Sequence, residues 1–119
     1  MGKDGRYTLT VRHGSAVSRQ RMHSLEDAVT ELRRRAEEIR SEGPLGGVSA
    51  IRDYEPGQRV HARLEISTGG LLRRRDAGID VMGDGALIAF SGGVRRAELE
   101  VDAGQSAFDA VSDALTAER

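Results

Sequence analysis

The residues with the clearest capacity for chemistry are three arginines near the turns of a predicted sheet. Arg73 and Arg75 are the first and last residues of a run of three arginines, and Arg95 lies two residues after the pair Gly92-Gly93. Tight turns at Gly69-Gly70 and Gly92-Gly93 would set the strand register so that these side chains project from the otherwise apolar face of the sheet. A desolvated guanidinium requires an anionic partner, such as a carboxylate, a phosphate or a nucleic-acid backbone. Arg73, Arg75 and Arg95 are therefore a candidate anion- or partner-binding site.

The same arginines have a simpler interpretation. The hairpin around Gly69-Gly70 can project beyond the helices, which would leave both faces of its strands in water. The arginines would then be solvated, and the ribbon would act only as an arm that contacts a partner. Both interpretations stay open at the level of sequence.

Histidines and serines form no catalytic or metal-binding pattern. His13, His23 and His61 are the only imidazoles, and no two of them have a spacing typical of metal ligands. Surface histidines are the favoured interpretation, with His61 on the outward face of its strand. The absence of cysteine excludes disulfides and thiolate metal sites. We therefore expect no catalytic residue, no metal and no cofactor, and we favour a non-enzyme.

Length and composition limit the remaining classes. The 119 residues predict a single domain over 1–119, with residues 1–5 as a frayed end. A net charge of −1 disfavours a general nucleic-acid-coating protein, although all the basic residues except Lys3 are arginine. No apolar leader and no run of transmembrane length is present, so we expect a cytoplasmic protein without membrane contact.

Periodicity predicts two helices and a first strand. Residues 7–11 alternate between apolar and polar and predict a strand, followed by a loop over residues 13–21. A capping box from Ser24 to Asp27 begins a helix that ends at Gly43-Pro44. Ser106 begins the second helix, with Asp109 three residues later.

Residues 58–101 predict four strands joined by tight turns. The pair Asp84-Gly85 favours a two-residue type I′ turn, and Gly69-Gly70 and Gly92-Gly93 favour two further reversals. These turns would pair Arg63 with Asp76 on a charged outer face. They would bring four apolar side chains onto the inner face: Val60, Ile79, Ile88 and Leu99.

Three apolar residues would interrupt the charged outer face and mark a candidate interface: Met82, Leu87 and Ala89. A further strand is predicted over residues 48–54, joined to the next strand through Glu55-Pro56-Gly57. The register of that hairpin and the place of the first strand in the sheet stay open.

The predicted fold class is α+β, with a single curved antiparallel sheet in the order β-α-β-β-β-β-β-α and both helices on its apolar face. The favoured function is a small non-enzymatic binding or interaction domain that self-associates into a homo-oligomer or binds a protein partner. One alternative is anion or nucleic-acid binding through the arginine cluster, with nucleic acid less favoured. Another is a small-molecule carrier or enzyme with a cavity between sheet and helix.

Overall fold

The protein is described by a computed structural model that covers residues 7–42, 60–68, 75–92, 97–99, 101 and 106–116. Six strands and two helices follow one another along these residues. They are β1 (Tyr7–His13), β2 (Ala16–Met22), α1 (Leu25–Arg40), β3 (Val60–Thr68), β4 (Arg75–Met82), β5 (Leu87–Ser91), β6 (Ala97–Glu98) and α2 (Ala107–Thr116).

The strands form one antiparallel sheet in the order β2-β1-β3-β4-β5-β6, which confirms the predicted α+β class. The first strand, whose place was open, lies between β2 and β3. Strand β2 occupies residues that were predicted as a loop, and Gly14, with φ of 65°, lies in the turn before it. All of β2 except Met22 is exposed, so it lacks the apolar alternation that marks a strand in sequence.

The core lies between one face of the sheet and the two helices. Helix α1 begins as predicted, because the Ser24 side chain accepts a hydrogen bond from the Asp27 amide at 3.0 Å. Ser106 and Asp109 cap α2 reciprocally. The largest fully buried side chains of this core are Leu9, Leu32, Leu64, Ile66, Ile79, Val81 and Val111. Among the described residues, neither helix has the length and apolar character needed to cross a membrane.

The β4–β5 turn differs from the prediction by one residue. The amide of Gly85 donates to the Met82 carbonyl at 2.9 Å, and the Met82 amide donates to the Ala86 carbonyl at 2.8 Å. The loop is therefore the three residues 83–85, and only Gly85, with φ of 91°, adopts a left-handed conformation. A type I′ turn would also need positive φ at Asp84, which the structure does not have.

This one-residue difference turns the side chains of β5 to the opposite faces. Ile79 lies opposite Ala89, not Phe90, and Asp80 lies opposite Ile88. The predicted common face of Ile79 and Ile88 is therefore wrong. The outer-face assignment of Leu87 and Ala89 is wrong for the same reason: Ala89 is buried in the core and Leu87 packs against it.

The registers of the other two hairpins also differ from the prediction. Strands β3 and β4 pair Thr68 with Arg75, whereas a turn at Gly69-Gly70 would have paired Thr68 with Leu71. This is an even shift of the register, so the β3 side chains from Ala62 to Ile66 keep their predicted faces. Val60 was predicted on the inner face, but the irregularity between Val60 and Ala62 pairs it with Met82, and it is 42% exposed. Strands β5 and β6 pair Ser91 with Ala97, whereas a turn at Gly92-Gly93 would have paired Ser91 with Val94. The strand predicted over residues 48–54 lies outside the described residues, and both neighbours of β3 in the sheet are other strands, β1 and β4.

An ion pair and an aromatic ring cover the middle of the outer face. The Arg63 guanidinium donates to both carboxylate oxygens of Asp80, at 2.7 and 3.1 Å, in place of the predicted pair with Asp76. It also lies 5.5 Å from the centroid of the Phe90 ring. Phe90 reaches over Gly78, where any Cβ would collide with it. This face is therefore ordered by specific contacts.

Candidate metal centre

Three elements end at the same corner of the molecule and bring three metal-binding side chains together. His13 is the last residue of β1, His61 is the second residue of β3, and Glu42 follows the end of α1 by two residues. The pairing of His13 with Ala62 places the end of β1 beside the beginning of β3. Because α1 packs across β1 and β3, its C-terminal end delivers Glu42 to the same corner.

A β-bulge lies at the position of His61. Val60 pairs with Met82 and Ala62 pairs with Val81, so His61 is an extra residue in β3 with no counterpart in β4. Bulges bend a strand and change the direction of a side chain. Strict alternation predicted His61 on the outward face. The observed contact with His13 instead places its ring within reach of the end of α1.

The distance between the two imidazoles matches a shared metal ion. The Nε2 atoms of His13 and His61 are 3.3 Å apart. Two nitrogens each about 2.05 Å from a tetrahedral Zn²⁺ lie about 3.3 Å apart, because the edge of a tetrahedron is about 1.6 times its centre-to-corner distance. The rings meet edge to face, at 79° with centroids 4.8 Å apart. The two Nε2 atoms are thus closer to each other than the ring centroids are.

Glu42 supplies the third donor. Its Oε1 atom lies 3.5 Å from Nε2 of His13, and the donor atoms of all three residues lie within 4.8 Å of one another. The Glu42 side chain is 56% exposed, so its carboxylate has room to rotate toward an ion held by the imidazoles. Two imidazoles and one carboxylate are a known donor set for Zn²⁺, with the fourth position left to water or a ligand.

Sequence reasoning missed this cluster because its members are distant along the chain. His13 and His61 are 48 residues apart, and no local motif connects either residue to Glu42. The pairing of β1 with β3 would have brought the histidines together, but the place of β1 in the sheet was open. The bulge carries no signature that alternation of residue types can show.

Of the three arginines of the predicted anion site, the structure describes only Arg75. Arg73 and Arg95 lie outside the described residues. Arg75 is the first residue of β4, and its guanidinium donates to the Leu115 carbonyl near the end of α2 at 3.4 Å. The positive charge of Arg75 interacts favourably with the negative, C-terminal end of the α2 dipole. This contact gives Arg75 a structural role. Of the predicted apolar interface, Met82 is half-buried, and alternation along β4 places it on the outer face.

No family model, curated protein or solved structure matches this chain. The candidate centre is therefore argued from its own geometry.

Proposed function

We propose that this protein is a small binding domain for a divalent transition-metal ion, with Zn²⁺ as the first candidate. His13, His61 and Glu42 are the ligands. The observation that carries the proposal is the separation of 3.3 Å between the two imidazole Nε2 atoms, with a carboxylate oxygen 3.5 Å from one of them. Nitrogen donors favour Zn²⁺, Co²⁺, Ni²⁺ or Cu²⁺ over Mg²⁺ and Ca²⁺, which prefer oxygen ligands.

Calorimetric titration of the metal-free protein with Zn²⁺ tests the proposal. We expect one ion per chain and at least a tenfold loss of affinity in His13→Ala and in His61→Ala, because each variant removes one of three ligands; a tenfold loss corresponds to ~1.4 kcal/mol. Glu42→Gln should weaken binding less, since an amide oxygen remains at that position. His23→Ala is the matched control, because His23 is the one other histidine of the sequence, is exposed and is not part of the cluster. Equal affinity in all four variants would refute the site.

Affinity should also fall on acidification. Protons compete with the metal for imidazole nitrogen, so binding measured at about pH 7.5 should weaken strongly at about pH 5.5. The Co²⁺ complex offers a second readout, because tetrahedral coordination by nitrogen and oxygen gives visible absorption that octahedral aqueous Co²⁺ lacks almost entirely. Cobalt bound with the spectrum of the octahedral ion would contradict the proposed geometry.

The predicted anion site remains a prediction. Its support is weaker than that of the metal centre, because Arg75 contacts α2 and its two companions lie outside the described residues.

A further inference from the structure

The two outermost strands of the sheet, among those that the structure describes, present side chains of opposite charge. In this set of strands β2 forms one edge and presents Arg19 and Arg21, while β6 forms the other edge and presents Glu98. All three side chains are exposed. Edge strands present unpaired backbone groups that a further strand can use.

The arginines of β2 lie on the outer face of the sheet. Arg19 pairs with Thr10 and Arg21 pairs with Thr8, whereas the alternate β1 residues Leu9 and Val11 are buried in the core. Within the described ranges, no carboxylate forms an ion pair with either arginine. The β2 edge therefore offers positive charge to a neighbouring strand.

Glu98 lies on the same outer face at the opposite edge. It pairs with Phe90, which covers Gly78 on the outer side, while Leu99 packs against the core. The side chain of Val17 on β2 is 47% exposed. An added strand would therefore also cover apolar surface at the β2 edge.

The strand directions permit the two edges to join. Every neighbouring pair in the sheet is antiparallel, and five such steps lead from β2 to β6, so these two strands run in opposite directions. When β6 of one copy lies beside β2 of another with both outer faces on the same side, the new pair is again antiparallel. Glu98 then lies on the face that carries Arg19 and Arg21.

We propose that this protein self-associates head to tail, with the β6 edge of one copy adding to the β2 edge of the next. Pairing of two β2 edges would place arginines beside arginines, and pairing of two β6 edges would place Glu98 beside its copy. The unlike edges attract each other, so charge selects the partner edge. This proposal is independent of the metal centre.

Such an interface is heterologous, because it joins two different surfaces. It leaves one β2 edge and one β6 edge free after each addition, so assembly continues until a ring closes or a filament forms. We therefore expect species larger than dimers at high concentration. Cross-strand ion pairs are weak, so association should weaken further as salt is added.

Charge reversal provides the test, followed by sedimentation velocity in the presence of EDTA so that metal ions cannot bridge copies. The variant Arg19→Glu/Arg21→Glu has two acidic edges, and Glu98→Arg has two basic edges. Each variant alone should associate at least about tenfold more weakly than the natural sequence, because attractive pairs become repulsive. An equimolar mixture should recover assembly, since every acidic edge then meets a basic one.

Recovery of assembly in the mixture would show that the single variants fail to associate because of their charge. A damaged fold could not be repaired by mixing. A monomeric natural chain at all concentrations up to about 1 mM would overturn the proposal, as would unchanged association in both variants. If the chain stayed monomeric but bound an acidic peptide, the proposal of self-association would be wrong. The β2 edge would then bind a different protein.

Discussion

At the scale of single residues, Gly78 is the glycine least able to accept a side chain among those in the described ranges. A Cβ there would overlap the Leu64 carbonyl oxygen and come within 2.8 Å of both the Glu65 Cα and the Phe90 ring. Two of these three atoms belong to the backbone of β3 and cannot move without breaking the ladder. We expect Gly78→Ala to lower the free energy of unfolding by about 3 kcal/mol or to prevent folding. Urea denaturation followed by circular dichroism measures the loss.

Gly85→Ala is the matched control for Gly78→Ala. A Cβ at Gly85 meets no atom within 4 Å, but the residue has φ of 91°. Only backbone strain then opposes the change, and we expect a loss of about 1 kcal/mol. A larger effect at Gly85 than at Gly78 would contradict the close approach of β3, β4 and Phe90.

The ion pair between Arg63 and Asp80 is the second residue-scale feature with a measurable consequence. Asp80 is 7% exposed, and its hydrogen bond raises the pKa of Arg63 above the ordinary value. Asp80→Ala leaves a partly buried guanidinium without its carboxylate, so we expect a loss of about 1–3 kcal/mol. A double-mutant cycle with Arg63→Ala, measured by urea denaturation, should give positive coupling. Additive losses would show that the pair contributes no net stability.

At the scale of elements, helix α1 carries a pH-dependent contribution on its exposed side. The hydrogen bond from Arg34 lowers the pKa of Glu31 below its ordinary value, so folding favours the charged carboxylate. The ion pair with Arg34 stabilises the fold fully at pH values above the pKa that Glu31 has in the unfolded chain. This stabilisation is lost as the pH falls through the lowered pKa of Glu31 in the folded chain. Glu31→Gln should therefore lower Tm slightly, by about 1 °C, at pH 7 and have no effect near pH 3. An effect of equal size at both values would contradict an electrostatic origin.

The elements differ in how far sequence could predict them, and the difference follows from the range of the interactions. The caps at Ser24 and Ser106 were predictable because cap and partner are three residues apart. Strand β2 was not, because its stability comes from pairing with β1 and not from an apolar face of its own. The Asp84-Gly85 turn was placed correctly along the chain but with the wrong length, since this dipeptide suits both two- and three-residue loops. That single residue decided which face Leu87, Ala89 and Phe90 occupy.

At the scale of the whole molecule, the candidate metal centre depends on contacts that no local pattern specifies. It requires the placement of β1 beside β3, a bulge at His61, and the packing of α1 across both strands. Each is a tertiary feature, and the spacing of the histidines in sequence contains none of them. The same contacts make the centre a property of the folded chain alone.

Zinc should therefore stabilise the whole fold by mass action, because an unfolded chain does not hold His13, His61 and Glu42 together. At a free Zn²⁺ concentration about a hundred times Kd, the added stability is about 2.7 kcal/mol, which corresponds to a rise in Tm of roughly 10 °C for a chain of this length. Differential scanning calorimetry should show this rise for the natural sequence and for His23→Ala, and EDTA should reverse it. A site with tenfold weaker affinity adds about 1.4 kcal/mol at the same free Zn²⁺ concentration, so His61→Ala should lose about half of the rise or more. Its metal-free Tm should stay close to that of the natural chain, since His61 is only half-buried. If the Tm of His61→Ala rose with Zn²⁺ as much as that of the natural chain, the stabilising ion would bind elsewhere. If the Tm of the natural chain did not rise, His13, His61 and Glu42 would not bind a shared ion.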